Sequence, residues 1–235
     1  MELARATFRT AALHGRHRFW FLLTTALVLF VPLGLLESLD HGLEINTDDG
    51  VEALDVIEGF AIAVSAMVGE VFYAGAIASV VARGPEYEPH IPELLRRIPY
   101  LTIIALDLIV AFGVAFGAIF FLLPGLWLYG SWVLAATIAD IDHIGVREAL
   151  RRSNRLAKGH KATIVVTLLG ITIFSELIAE LLRVLVETLT HEELVIDWVA
   201  STASAVLLSP LFGLLAAAFV LELRARKAPA AAEAS

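Results

Sequence analysis

Residues 101–123 read LTIIALDLIVAFGVAFGAIFFLL, and Asp107 is the one charged residue among them. The hydrocarbon core of a bilayer is about 30 Å thick, and a helix needs about 20 mostly apolar residues to cross it. Backbone groups in lipid must be hydrogen-bonded within the spanning structure, and this run lacks the alternation of a barrel strand. The segment therefore predicts a transmembrane helix.

The whole chain has the composition of a membrane protein. Of its 235 residues, 58% are hydrophobic and 18% are charged, whereas average soluble domains are about 45 to 50% apolar and about 25% charged. This composition excludes a single soluble globule and a disordered chain. The chain has no cysteine, which excludes disulfides, thiol catalysis and thiolate-bound metal or iron–sulfur centres.

Six apolar segments occur, and we predict an all-α polytopic membrane protein with one membrane domain over residues 1–227. A cleaved signal sequence is the alternative for the first segment, but its apolar stretch is long and no A-x-A-like site follows it. We expect a tight turn at Pro124-Gly125 and a disordered Ala-rich tail over residues 228–235. The predicted spans are residues 19–36, 59–82, 101–123, 126–139, 162–182 and 198–221.

Charge alternates between the connections of these spans. Of the 17 basic residues, 16 lie before the first span, between the second and third, between the fourth and fifth, or after the sixth. The other two connections are acidic: residues 37–58 contain no Lys or Arg, and residues 183–197 contain only Arg183, which directly follows the fifth span. Because cytoplasmic loops of membrane proteins are rich in Lys and Arg, the pattern predicts a cell-membrane protein with both termini in the cytoplasm.

Residues 145–159, GVREALRRSNRLAKG, predict an amphipathic helix. At 100° per residue its cations fall within an arc of about 140°, and its apolar and small residues fill the opposite arc. Such a helix is expected to lie in the cytoplasmic interface, with its apolar face in the headgroup boundary and its cations on anionic lipids. The alternatives are a mere topology anchor or a site for an acidic partner, and nucleic acid is not expected. The candidate anion-binding residues are Arg147, Arg151, Arg152, Arg155 and Lys158. A similar basic stripe predicts a second amphipathic helix over residues 2–17.

Residues 122–161 resemble a family of bacterial and archaeal integral membrane proteins, the membrane domain named after glycerophosphoryl diester phosphodiesterases, which includes YciC-like proteins. The resemblance implies a helical membrane domain, and most stand-alone members have no assigned biochemical function. Some members carry a phosphodiesterase barrel, for which this chain has no room, so hydrolase activity is not implied. The matching positions are Pro124-Gly125, the segment from Trp127 to Trp132, Asp142, Gly145-Val146, Ala149-Leu150, Arg152-Ser153 and Lys158-Gly159.

Several charged residues lie inside the predicted spans, and such residues are functional candidates by default. Glu70 lies near the middle of the second span, Asp107 lies in the third, and Glu176 and Glu180 are i,i+4 neighbours in the fifth. One hypothesis is a proton or cation pathway lined by Glu70, Glu176 and Glu180. The alternative is that Glu70 is hydrogen-bonded within the bundle while Arg183 pairs with Glu180 and Glu187.

Two further patterns have mainly structural interpretations. Asp140, Asp142 and His143 form a D-x-D-H group, which is a weak candidate for a metal site. The better explanation is that the carboxylates interact with the positive N-terminal end of the helix that follows and with its arginines. Gly113 and Gly117, in a G-x-x-x-G pattern, are expected with Pro124 and Gly125 to serve helix packing.

From these residues we expect a non-enzymatic membrane component without a cofactor, since the chain has none of the catalytic motifs G-x-S-x-G and H-E-x-x-H and no phosphate-binding glycine loop. Its partners are expected to be anionic membrane lipids, or else a membrane protein or a second copy of the chain. The alternative function is a small proton- or cation-coupled transporter or channel that uses the intramembrane carboxylates. An intramembrane enzyme is a third alternative.

Overall fold

The computed structural model of the chain describes residues 2–42, 53–84, 87, 90–120, 122–190 and 192–232, without the side chains of 53–67 and of some helix-end residues. This described part is all-helical and contains no β-strand. Its helices are α1 (Glu2–His17), α2 (Phe19–Gly42), α3 (Ala53–Arg83), α4 (Ile91–Arg97), α5 (Tyr100–Phe120), α6 (Leu122–Trp132), α7 (Ala135–Asp142), α8 (Val146–Ala157), α9 (Lys161–Leu189) and α10 (Glu193–Ala232).

Within the described residues, three helices are long and apolar enough to cross a membrane: α5 over Tyr100–Gly117, α9, and α10 over Leu194–Ala228. The pair α1 and α2 adds a fourth if the two count as one span, although they are bent by 81° relative to each other. The prediction of an all-α protein with membrane-spanning helices is thus confirmed at this level. Six crossings remain a prediction.

The fourth predicted segment, residues 126–139, is not one continuous helix. It is interrupted between Trp132, where α6 ends, and Ala135, where α7 begins. The predicted turn at Pro124-Gly125 is wrong, because both residues lie in the first turn of α6. Proline is tolerated there because the first N–H groups of a helix have no intrahelical acceptor, so its missing N–H breaks no bond.

The core of the bundle surrounds α10, which contacts α1, α2, α3 and α9. Residues 214–220 are all buried, none more than 8% exposed. Two long-range hydrogen bonds connect the surrounding helices: the Tyr73 hydroxyl donates to the Leu22 carbonyl at 2.9 Å, and the Trp198 indole donates to the Val31 carbonyl at 3.0 Å. Each ties a side chain to a backbone carbonyl of α2, which fixes that helix against both α3 and α10.

Glycines permit the close approach of α5 and α6. A Cβ built at Gly117 would lie 3.0 Å from the backbone N and Cα of Gly125, and one at Gly113 would lie 2.8 Å from the Trp132 ring. Small residues let helix backbones approach closely inside membranes, where packing rather than the hydrophobic effect drives association. These two contacts place Gly113, Gly117 and Gly125 in the α5–α6 interface.

The C-terminal end of the chain differs from the prediction of a disordered tail. α10 continues to Ala232, so most of the tail predicted to be disordered is helical, and alanine is the best helix former. Residues 233–235 and the side chains of most of the acidic connection 37–58 lie outside the described part.

α1 and α8 coincide with the two segments predicted as amphipathic helices, and α1 buries Leu3, Thr7 and Ala11 at a spacing of four residues.

Gly117→Ala should destabilise the protein by about 1 to 3 kcal/mol, because the added methyl group meets backbone atoms that cannot rotate away. Gly170→Ala on α9 is the matched control, since nothing lies within 4 Å of a Cβ at Gly170. The control should leave stability unchanged or slightly raised. Melting temperatures of the purified variants in detergent measure both effects, and equal melting temperatures would contradict the close α5–α6 contact.

Candidate functional site

α8 is held against the bundle by one face. Ala149, Ser153 and Ala157 recur every four residues and are completely buried, and the Ser153 hydroxyl donates to the Ser131 carbonyl of α6 at 2.8 Å. Leu156 packs against the main core. The expectation that the apolar face of this helix lies in the lipid headgroup boundary is therefore corrected: protein covers that face, because its small residues fit closely against α6 and α7.

Ion pairs connect α8 to two other helices. Asp142, at the end of α7, accepts hydrogen bonds on Oδ2 from Nη1 of Arg152 and from Nη2 of Arg224, each at 2.8 Å. Arg152 also donates Nε to Glu148 at 2.8 Å, and Arg151 lies 2.7 Å from the other oxygen of Glu148. The Asp142 carboxylate thus joins the end of α7, the middle of α8 and the distal part of α10.

A basic cleft of about 460 Å³ opens beside this network. We call it the basic cleft and define it by its charged residues, Asp142, Arg152, Arg155, Arg224 and Lys227. Four cationic side chains surround one carboxylate, which leaves an excess of three positive charges. Lys227 donates Nζ to the Arg155 carbonyl at 2.6 Å, which fixes the end of α10 against α8.

The electrostatic effect of these cations extends to the junction of α8 and α9. There the pKa of His160 is lowered, first by burial of the ring and then by the positive charges of Lys227 and Arg226. A lowered pKa means that the neutral imidazole is favoured. Lys227 and Arg226 at the end of α10 thus act electrostatically on the junction of α8 and α9, although the two segments are about 70 residues apart in the sequence.

The basic cleft contains only part of the predicted anion-binding set. Arg152 and Arg155 line it, whereas Arg147, Arg151 and Lys158 do not. The Arg151 side chain is 68% exposed and pairs with Glu148. The sequence analysis does not predict Arg224 and Lys227 as anion-binding residues and places them only among the charges that follow the last span. Their i,i+3 spacing on a continuing helix was the available signal, since it places both on one face.

A second cavity, of about 600 Å³, lies among α3, α5, α6, α7, α9 and α10. We call it the acidic cavity, because Glu70, Asp107 and Asp140 line it. Glu70 and Asp107 interact with each other electrostatically. The structure thus brings two of the predicted intramembrane carboxylates together and adds Asp140, which sequence reasoning had grouped with Asp142 and His143.

Asp140 is 3% exposed, and neither carboxylate oxygen has a hydrogen-bond partner among the described residues. The D-x-D-H group does not act as a unit. Asp140 faces the acidic cavity, Asp142 pairs with arginines, and His143 has a left-handed backbone at φ 51° where α7 ends. Within the described part of the chain, no three His, Cys, Asp or Glu residues are arranged to hold a metal ion.

The carboxylates of α9 lie elsewhere. Glu176 accepts a hydrogen bond from the Ser204 hydroxyl of α10 at 3.1 Å, and neither Glu176 nor Glu180 lines the acidic cavity. The predicted pairing of Arg183 with Glu180 and Glu187 is also wrong, because its guanidinium lies 3.2 Å from Asp197 of α10. Glu176 and Arg183 thus contact α10 rather than the cavity, and the predicted pathway retains Glu70 alone of its three members.

Comparison with known proteins finds no match: no family model, no curated protein and no solved structure matches the chain. The resemblance of residues 122–161 to the glycerophosphoryl diester phosphodiesterase membrane domain therefore stays a prediction.

The ion pairs of α8 predict an acid-sensitive contact. Hydrogen bonds from Arg152 and then from Arg151 lower the pKa of Glu148 below its ordinary value of 4.5. A lowered folded-state pKa contributes stability that is full above the ordinary value and is lost as the pH falls through the folded-state value. The melting temperature should therefore decline as the pH falls below about 4.5, and that of Glu148→Gln should decline less steeply over the same range.

Glu187→Gln provides the control for this titration, because Glu187 is an exposed carboxylate on α9. It should keep the wild-type slope. If Glu148→Gln and the wild type lose stability in parallel as the pH falls below about 4.5, the ion pairs of Glu148 within α8 do not stabilise the folded protein.

Proposed function

We propose that the chain crosses the cell membrane six times, with both termini in the cytoplasm and with α6 and α7 together forming the fourth crossing. The alternation of basic and acidic connections supports this arrangement. Without a fourth crossing, the connections after it would change sides, and the basic segment before α9 would lie outside. The apolar lengths of α5, α9 and α10 are consistent with three of the six crossings.

We propose further that the protein is a non-enzymatic membrane component that binds the headgroup of an anionic lipid in the basic cleft. The observation that carries this proposal is the convergence of Arg152 and Arg155 of α8 with Arg224 and Lys227 of α10 around one carboxylate. A phosphate accepts several charge-assisted hydrogen bonds, and guanidinium groups present donors in the matching geometry. The cleft thus has the chemistry of a phosphate site.

Two cations of the cleft are available to a ligand. Arg152 and Arg224 are engaged with Asp142, whereas no ion pair between described residues involves the guanidinium of Arg155. Lys227 uses one of its three N–H groups for the Arg155 carbonyl, which leaves two donors. The half-buried Leu156 adds apolar surface to the wall, which suits the glycerol and upper acyl part of a lipid.

Transport is a second candidate function, and the acidic cavity is the observation that favours it. Glu70 and Asp107 lie on α3 and α5, within segments that we propose to cross the membrane, and carboxylates at such positions mark ion or substrate pathways in membrane proteins. In this proposal the cavity carboxylates would replace the predicted set of Glu70, Glu176 and Glu180.

Replacing Arg155 and Lys227 together by glutamine should weaken binding of an anionic lipid. Neither side chain pairs with Asp142, so the ion pairs that hold α8 remain intact. Each cation near an anionic surface is worth about 1 kcal/mol, so loss of both should weaken binding roughly 30-fold. The measurement is native mass spectrometry of the purified protein with phosphatidylglycerol and phosphatidylethanolamine present in equal amounts.

Arg147→Gln combined with Arg151→Gln is the matched control, since it removes the same charge from α8 outside the cleft. Phosphatidylglycerol should be retained in preference to phosphatidylethanolamine by the wild type and by this control. A control that loses as much phosphatidylglycerol as the cleft variant would show diffuse attraction to basic helices, and a cleft variant with wild-type retention would overturn the headgroup site.

A further inference from the structure

Among the described residues that line the acidic cavity, all charged side chains are acidic. Glu70, Asp107 and Asp140 come from three different helices, and no Lys, Arg or His is found among the described residues that line the cavity. Asp140 is nearly completely buried and has no hydrogen-bond partner within the described part of the chain. A buried carboxylate without a partner is costly unless a cation or donor reaches it. The cavity therefore favours a positively charged occupant.

The remainder of the wall is apolar and aromatic. Tyr73, Tyr129, Trp132 and Phe212 line the cavity, together with alanine and valine side chains of α3 and α5. Aromatic rings attract cations through their negative faces, and the attraction is larger where water is excluded. Ligand pockets of proteins have about 300 to 1,000 Å³ and mostly apolar walls with a few polar groups. At about 600 Å³ the acidic cavity is of that kind.

A bare metal ion does not suit this wall. No three acidic or histidine side chains of the described residues converge closely enough to coordinate one ion. A hard cation such as Ca²⁺ requires six to eight oxygen ligands at about 2.3 to 2.6 Å. A cation whose charge sits on an apolar body has no such requirement, because its body packs against aromatic residues while its charge lies near separated carboxylates.

We propose that the acidic cavity binds an organic cation with an apolar body, such as a hydrophobic amine or a quaternary ammonium ion, with Asp140 as its main counter-ion. The proposal is independent of the lipid headgroup site. It deepens the transport proposal by naming a ligand class, and it rests on that proposal only for its physiological meaning, since binding itself requires no transport.

The test compares two probes of the same shape and opposite charge, tetraphenylphosphonium and tetraphenylborate. Equilibrium dialysis against the full chain in lipid nanodiscs, with protein-free nanodiscs subtracted, measures binding of each. We expect saturable binding of one tetraphenylphosphonium per chain and no saturable binding of tetraphenylborate. Equal saturable binding of both ions, or saturable binding of neither, would overturn the proposal.

Asp140→Asn keeps the side-chain volume and removes the charge, and it should weaken tetraphenylphosphonium binding at least tenfold. Glu70→Gln should weaken it to a smaller degree, and Ala111→Phe should block it by filling the cavity, which Ala111 lines. Glu180→Gln is the matched control, because this exposed carboxylate lies outside the cavity, and it should bind like the wild type. Wild-type binding by both Asp140→Asn and Ala111→Phe would overturn the site.

Failure of transport and failure of binding are distinguishable. Liposomes that contain the protein and take up tetraphenylphosphonium no faster than protein-free liposomes, while the dialysis signal and its loss in Asp140→Asn persist, would reject transport and leave the binding site intact. Protein-dependent uptake, above that of protein-free liposomes, that Asp140→Asn and Ala111→Phe both leave unchanged would overturn the cavity as the transport site.

Discussion

The other helices of the bundle are packed around one stretch of α10 that is buried on every side. Residues 214–220 are buried in succession, so no side of the helix is open over about two turns. A helix that is apolar on all sides is buried either in a protein core or in a membrane, and here α1, α2, α3 and α9 surround the buried stretch of α10. Ala216, Ala217 and Ala218 lie in the middle of this stretch and let the neighbouring helices approach closely.

Both candidate sites follow from the position of α10. Its distal part extends beyond the buried stretch and carries Arg224 and Lys227 to the cations of α8, which forms the basic cleft. Earlier along the same helix, Ser209 and Phe212 line the acidic cavity opposite the carboxylates of α3, α5 and α7. Asp140 and Asp142 lie two residues apart near the end of α7 and serve different sites: one lines the cavity, and the other pairs with arginines of the cleft.

Sequence patterns predicted the elements that depend on local composition. The apolar segments coincide with α2, α3, α5, α9 and α10, and the basic segment at residues 145–159 coincides with α8, because periodicity and length are properties of neighbouring residues. The break between Trp132 and Ala135 was missed, since residues 126–139 read as evenly apolar. The turn at Pro124-Gly125 was wrong because proline also fits the first turn of a helix.

The composition of both sites depended on contacts between distant segments, which one sequence does not show. Arg183 has Glu180 and Glu187 within four residues, yet it pairs with Asp197, because α9 and α10 meet along their length. Asp140 appeared to belong with Asp142 and His143, and only the packing of α7 against α3 and α5 brings it into a cavity with Glu70 and Asp107. The charge pattern predicts the side of the membrane on which each connection lies, whereas tertiary packing determines which residues form each site.

Cysteine labelling tests whether α9 crosses the membrane and leaves the basic cleft in the cytoplasm. The chain has no native cysteine, so Asn154→Cys on α8 and Thr188→Cys near the end of α9 provide single thiols at exposed positions on either side of the crossing. A membrane-impermeant maleimide should label Thr188→Cys in intact cells and Asn154→Cys only after permeabilisation. Labelling of both variants in intact cells, or of Asn154→Cys alone, would contradict the account.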